Sequence, residues 1–202
     1  MRVMQYSFQQ IEALHKQYAP CELVYQLVFE HCQIVRDIAL QLLKASNLEL
    51  DQELVVTGAL LHDIGVYPLF GADGKLRDGV NYITHGIEGE RILQQEGYPE
   101  YLCRFAAYHT GVGLTKQDVT NLQLPLPPKD YLAQSDEEQL IMYADKFHAK
   151  TTHPPTFNSF DWYRQDVVKF GHDKTIKFDA LAAKFGKPNL TTLGHQYGQG
   201  IR

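Results

Sequence analysis

Residues 54–65 read Leu54-Val55-Val56-Thr57-Gly58-Ala59-Leu60-Leu61-His62-Asp63-Ile64-Gly65, an apolar helix-forming run closed by an imidazole and a carboxylate. Burying that pair without a partner is costly, and a bound metal ion is the obvious partner. Asp51 can cap this helix, and Gly65 and Pro68 break it, so His62 and Asp63 fall at its C-terminal end. Upstream, Val24, Leu27, Val28, Val35, Ile38 and Leu42 recur at three- and four-residue spacing. That spacing predicts a long amphipathic helix over 23–43, ended by Asn47, with His31 on its apolar stripe. Downstream, 65–81 is rich in glycine and predicts an irregular loop with a turn at Asp73-Gly74. Thr84 is the expected cap of a helix running to Glu96 and ended by Gly97, and Tyr98-Pro99 opens another through Leu102, Phe105, Ala106 and His109. His85 therefore begins one helix and His109 ends the next.

Between Gly111 and Gln134 the chain carries Pro125, Pro127 and Pro128, a loop long enough to suggest function, with a short turn at Lys116 to Asn121. Ser135-Asp136-Glu137-Glu138 has the form of a capping box, and Leu140, Ile141, Ala144, Phe147 and His148 continue a helix carrying Asp145. After His153-Pro154-Pro155 the pattern weakens. A helix over Lys174 to Phe185 is expected, then a polar, glycine-containing end from Lys187 to Arg202 that is only loosely held. No repeat and no strand alternation interrupts this pattern, so the fold class is all-α. The expected organisation is a helical domain over 1–150 with an extension, 151–202, packed on or near it.

Bulk properties exclude several roles. The 202 residues suffice for one sizeable core. The net charge of −5 is spread along the chain without a basic run, which argues against binding duplex nucleic acid. The apolar stretches fall far short of the ~20 residues a membrane helix needs, and a soluble, cytoplasmic protein is expected. Cys21, Cys32 and Cys103 form no CxxC pair, so reduced, mostly buried thiols are expected rather than disulfides or a thiolate zinc site.

A single histidine on an apolar helix face is more often a hydrogen-bonded core residue than a ligand. Here His31, His62, Asp63 and Asp145 lie on three separate helices, all on or beside apolar faces. Imidazole nitrogen with carboxylate oxygen suits Mn, Fe, Co, Ni or Zn, and the lack of thiolate argues against a purely structural zinc. Lys146, Arg104 and Lys75 are candidate partners for an anionic ligand; Lys146 is the best placed, although its position next to Asp145 turns it about 100° around the helix. His148, three residues after Asp145, is a candidate pocket wall or support for a ligand. His153, His172 and His195 read as surface residues, and His15 as part of an amphipathic N-terminal segment with Ile11, Leu14 and Tyr18. Tyr67, Tyr82 and Tyr108 matter only as neighbours of the candidate ligands.

In order, His31, His62-Asp63 within Leu61-His62-Asp63-Ile64-Gly65, and Asp145 within Tyr143-Ala144-Asp145-Lys146 resemble the motifs of the HD superfamily of metal-dependent phosphohydrolases, in its HDIG variant, over about Glu22 to Lys150. The resemblance implies a helical bundle holding a metal between helices, with His31, His62, Asp63 and Asp145 as ligands. His85, in Ile83-Thr84-His85-Gly86, and His109, in Tyr108-His109-Thr110-Gly111, resemble the extra histidines of two-metal members. Asp63 would then bridge both ions. Read without the resemblance, His85 is a solvent-facing residue at a helix start and His109 a helix-end residue favoured by the dipole.

The same motif order occurs in HD hydrolases that split dinucleoside tetraphosphates. The implied activity is hydrolysis of a phosphate ester or anhydride of a nucleotide (phosphomonoester, cyclic nucleotide or dinucleoside polyphosphate), with one or two divalent ions (Mn, Fe, Co, Ni or Zn, with Mg allowed) and Asp63 positioning the water. The alternative is a nucleotide-sensing or partner-binding module without turnover. Gly97-Tyr98-Pro99 spells the tripeptide of the HD-GYP cyclic-dinucleotide phosphodiesterases but joins two helices ahead of His109. It reads as helix punctuation, which disfavours cyclic-dinucleotide hydrolysis. Substrate choice is left to 65–81, 111–134 and the last third of the chain.

Overall fold

The computed structural model describes residues 6–202. Its helices are α1 (Phe8–Tyr18), α2 (Glu22–Ala45), α3 (Gln52–Leu61), α4 (His85–Gln95), α5 (Glu100–Ala107), α6 (Lys116–Asn121), α7 (Asp136–Asp145), α8 (Phe160–Val167), α9 (His172–Phe185) and α10 (Leu190–Tyr197). Strands β1 (His148–Ala149) and β2 (Thr156–Phe157) form one short antiparallel pair. No helix among the described residues is long and apolar enough to cross a membrane.

The centre is α2, packed against α3 and α7. Val24, Val28, Val35, Ile38 and Leu42 are buried on one face of α2 together with His31, because residues three and four apart share a side of a helix. Asp51 caps α3 by accepting from Leu54 N at 3.0 Å. Gly97, at φ +77°, turns the chain between α4 and α5, a conformation that costs glycine nothing.

Several expectations need correction. The segment after His62-Asp63 is not loop throughout: Ile64–Leu69 is a 3-10 helix with Ile64, Gly65, Val66, Tyr67 and Leu69 buried. Thr84 makes no side-chain cap; it closes a 3-10 turn, Tyr82–Thr84, that runs into α4. Ser135 caps α7, but the Glu138 carboxylate turns instead to Arg104 Nε at 2.8 Å and Gln134 N at 2.7 Å, so the box is not reciprocal.

The largest correction concerns residues 187–202. They contain α10, and the segment beyond it pairs with β2 and its continuation: Phe157 N donates to Gly200 O at 2.8 Å, Arg202 N to Phe157 O at 2.9 Å and Ser159 N to Arg202 O at 2.8 Å. Phe178 on α9 is fully buried among Phe160, Tyr163, Tyr143 and Phe147. Burying such a ring is worth about 2–3 kcal/mol, and this ring fastens the later helices to α7.

Candidate metal centre

Four helix ends and the middle of α2 converge on Asp63. His31 comes from α2, His62 is the C-terminal cap of α3 and Asp63 follows it; His85 opens α4, His109 lies just past α5, and Asp145 ends α7. All five of His31, His62, Asp63, His85 and His109 are buried. His31 Nε2 lies 3.0 Å from Asp145 Oδ1, 3.1 Å from Asp63 Oδ2 and 3.3 Å from His62 Nε2. His62 Nε2 lies 3.6 Å from the same oxygens of Asp63 and Asp145. On the other side, His85 Nε2 and His109 Nε2 are 2.9 Å apart, and 3.7 and 3.5 Å from Asp63 Oδ1. The two carboxylate oxygens of Asp63 thus face two different nitrogen groups.

This arrangement fits divalent ions. Neither Asp63 oxygen, both fully buried, has a hydrogen-bond partner of acceptable geometry; the Lys150 ammonium touches Oδ2, while Oδ1 faces the His85 and His109 imidazoles and needs a hydrogen bond or an ion. Ligand atoms about 2.1 Å from a common ion stand about 3.0–3.4 Å apart, by the geometry of an octahedron or tetrahedron, close to the separations around His31. The set is imidazole and carboxylate without thiolate. His62 Nδ1 donates to Ala59 O at 2.7 Å, His85 Nδ1 to Tyr82 O at 2.7 Å and His109 Nδ1 to Ala106 O at 2.8 Å, so each Nε2 lone pair is turned inward.

Electrostatics agree. Burial holds the imidazoles of His85 and His148 down at about 3 and lowers that of His109, keeping them in the neutral form that can ligate. Burial alone would raise the Asp63 carboxyl; the Lys150 ammonium and His62 outweigh it and hold it well below the usual carboxylate range. Asp145 is likewise lowered against burial, chiefly by Lys146. Burial would lower the His62 imidazole, but Asp63 and Cys32 draw it well above its ordinary value. A proton and a metal ion compete for such a nitrogen.

The structure brings together all six candidate ligands. It also corrects the geometric concern about Lys146: the side chain is buried and turns back, with Nζ 2.7 Å from Asp145 Oδ2 and 3.1 Å from His109 O. Arg104 is engaged by Glu138, and Lys75 is exposed on the 70–81 loop; neither lines the adjoining cavity. His153, His172 and His195 are exposed, as read. His15 is buried, 2.7 Å from both Tyr67 Oη and Leu60 O, and so steadies the turn that carries His62-Asp63. The missed residue is Lys150, buried and in close ion contact with Asp63. It lies past the end of α7, where no helical spacing ties it to Asp145. Beside this cluster opens a cavity of about 460 Å³, lined by Asp145, Lys146 and Lys150 and by the apolar Val112, Val167 and Phe170 among others.

A helical bundle with a buried His/Asp cluster between its helices defines a class of metal-site proteins, and the sequence narrows it: residues 28–150 match the HD domain. The chain belongs to the HD domain family. It is 40% identical over 121 residues to an uncharacterized protein of Methanocaldococcus jannaschii, covering 58% of this chain and 64% of that one. It is 31% identical over 150 residues to a tRNA (cytidine(56)-2'-O)-methyltransferase of Thermoplasma volcanium, covering 74% of this chain but 40% of the relative. The chain therefore spans less than two thirds of these curated relatives. Among solved structures, the HD domain of the L. monocytogenes phosphodiesterase PgpH superposes with TM-score 0.52 at 17% identity, over 93% of this chain and 98% of that one. A complex of that domain with cyclic-di-AMP matches with the same score at 19% identity, over 96% and 94%. At these identities the likeness establishes the helical fold.

Proposed function

We propose that this protein is a metal-dependent phosphohydrolase acting on a phosphate ester or anhydride of a nucleotide. The observation that carries the reading is Asp63, a buried carboxylate whose two oxygens face separate nitrogen groups, Oδ2 toward His31 and His62 with the Lys150 ammonium beside it and Oδ1 toward His85 and His109 without a hydrogen bond. In this reading His31, His62, Asp63 and Asp145 hold one divalent ion, and Asp63, His85 and His109 a second. Such ions supply Lewis-acid polarisation of a phosphoryl group and a lowered pKa for water. Asp63 orients the attacking water, being the group common to both sites. Lys146 and Lys150 present buried ammonium groups at the cavity wall, where they hold phosphate oxygens and offset developing charge. The apolar wall at Val112, Val167 and Phe170 suits a base or another flat apolar group.

The structural likeness to a domain bound to cyclic-di-AMP supports a nucleotide substrate. The methyltransferase relatives extend far beyond the matched part, so methyl transfer is not carried over. The test is hydrolysis of nucleoside monophosphates, dinucleoside polyphosphates, and cyclic mono- and dinucleotides by protein loaded with Mn, Fe, Co or Ni. Turnover is expected on at least one class, reduced on the order of 10³-fold or more in Asp63→Asn. Folded, metal-replete protein inactive on every class overturns the reading; tight nucleotide binding without product would point instead to a sensing module.

A further inference from the structure

His62, His85 and His109 each set Nδ1 against a backbone carbonyl. A carbonyl can only accept, so Nδ1 carries a proton and Nε2 is the nitrogen left to meet an ion. His31 is the exception. Its Nδ1 lies 2.7 Å from His148 Nδ1, an atom able to donate or to accept. Its tautomer must therefore be decided one residue further out.

His148 Nε2 lies 2.7 Å from Gln199 Oε1, and Gln199 Nε2 lies 3.2 Å from Glu30 Oε2. The carboxylate accepts only, so it draws the amide N–H and leaves the amide oxygen for His148. The oxygen accepts from His148 Nε2–H. That leaves a lone pair on His148 Nδ1, which accepts from His31 Nδ1–H; His31 Nε2, 3.0 Å from Asp145 Oδ1 and 3.1 Å from Asp63 Oδ2, faces two acceptors and is the nitrogen left to meet an ion held between them. Every donor in the sequence meets an acceptor in one direction only.

We infer that Gln199 and His148 are positioning residues that fix His31 in the tautomer able to ligate a metal ion, so that the segment after α10 helps assemble the centre. The inference rests on the metal reading above. The backbone around Gln199 is firmly held: its N donates to Gly194 O at 2.9 Å, Gly200 and Arg202 pair with Phe157, and Arg202 Nε donates to Asn158 Oδ1 at 2.8 Å. His148 is buried, with its ring against Phe157 at 5.2 Å, which shields the His31 contact from water.

The experiment compares wild type with Gln199→Leu, which removes the acceptor at similar volume, and Gln199→Glu made together with Glu30→Gln, which keeps the acceptor without setting two carboxylates against each other. Long-range 1H–15N spectra of the metal-free and Zn2+-loaded proteins report which ring nitrogen of His148 carries its proton and whether His31 Nδ1 carries one, and calorimetric titration with Zn2+ reports affinity. Gln199→Leu is expected to mix the His148 tautomers, and with them the proton on His31 Nδ1, and to weaken one of two Zn2+ sites about tenfold or more, leaving the His85/His109 site unchanged. Gln199→Glu/Glu30→Gln is expected to restore both readouts. An unchanged His148 tautomer and affinity in Gln199→Leu overturns the inference, as does a Gln199→Glu/Glu30→Gln variant as impaired as the leucine variant, because packing rather than the acceptor would then matter. A wild type that binds no Zn2+ defeats the metal reading, while the tautomer spectra still decide the relay on their own.

Discussion

Residues 22–147 and residues 148–202 both serve the cluster around Asp63, but by different physics. In the first region backbone packs on backbone: a Cβ added at Gly65 would lie 2.0 Å from His85 O and 2.1 Å from Gly89 N. In the second, a Cβ at Gly200 would meet only Thr156 Oγ1, at 3.9 Å. What matters there is the direction of hydrogen bonds from Glu30 through Gln199 to His148. One region sets where the ligand atoms lie, and the other sets which way a proton points. The bundle should therefore be intolerant of added volume at Gly65, and the segment after α10 intolerant of changed polarity at Gln199.

The strongest way to break this contrast is Gly65→Ala. Pushing the Ile64–Leu69 turn off α4 is expected to cost upwards of about 3 kcal/mol in urea unfolding and to displace His85 from Asp63. Gly200→Ala, the matched control, should change stability by less than about 0.5 kcal/mol. Equal losses at the two glycines would erase the distinction between the regions.

Between these extremes lies the link from α6 to α9. Lys174 is buried and pairs with Asp118 at 2.5 Å. Burial would raise the Asp118 carboxyl, but Lys174 and Thr115 outweigh it and hold it at about 2. Asp118→Asn leaves the buried ammonium to the exposed Asp173 carboxylate, 3.2 Å away, and should cost about 1–3 kcal/mol near neutral pH. Because the folded value lies below the unfolded one near 3.9, the contribution is complete above about pH 4 and is lost as pH falls toward 2. The gap between wild type and variant should narrow over that interval; a gap independent of pH would show that the ion pair is not its source.

The difference between the regions also explains what could be read in the chain. His31, His62, Asp63, His85, His109 and Asp145 sit on or beside amphipathic helices, so apolar spacing and end signals place them. Gly97 and Asp51 act as expected, since cap chemistry is local. The turn at Ile64–Leu69 is hidden because Gly65 and Pro68 resemble loop punctuation, while Gly65 is required by the close approach of α4. The link from His31 to Gln199 spans most of the chain through strands two residues long. No periodicity announces such a contact. Lys150 is equally silent in sequence, as its pairing with Asp63 depends on a bend after α7.

The proposed sharing of Asp63 by two ions is tested most directly by metal stoichiometry. Native mass spectrometry on protein saturated with Zn2+ or Mn2+ would count the ions in wild type, His85→Ala and Asp63→Asn. Two ions are expected in wild type, one in His85→Ala and a loss at both positions in Asp63→Asn. Wild type holding no ion, or Asp63→Asn still holding two, would contradict that sharing.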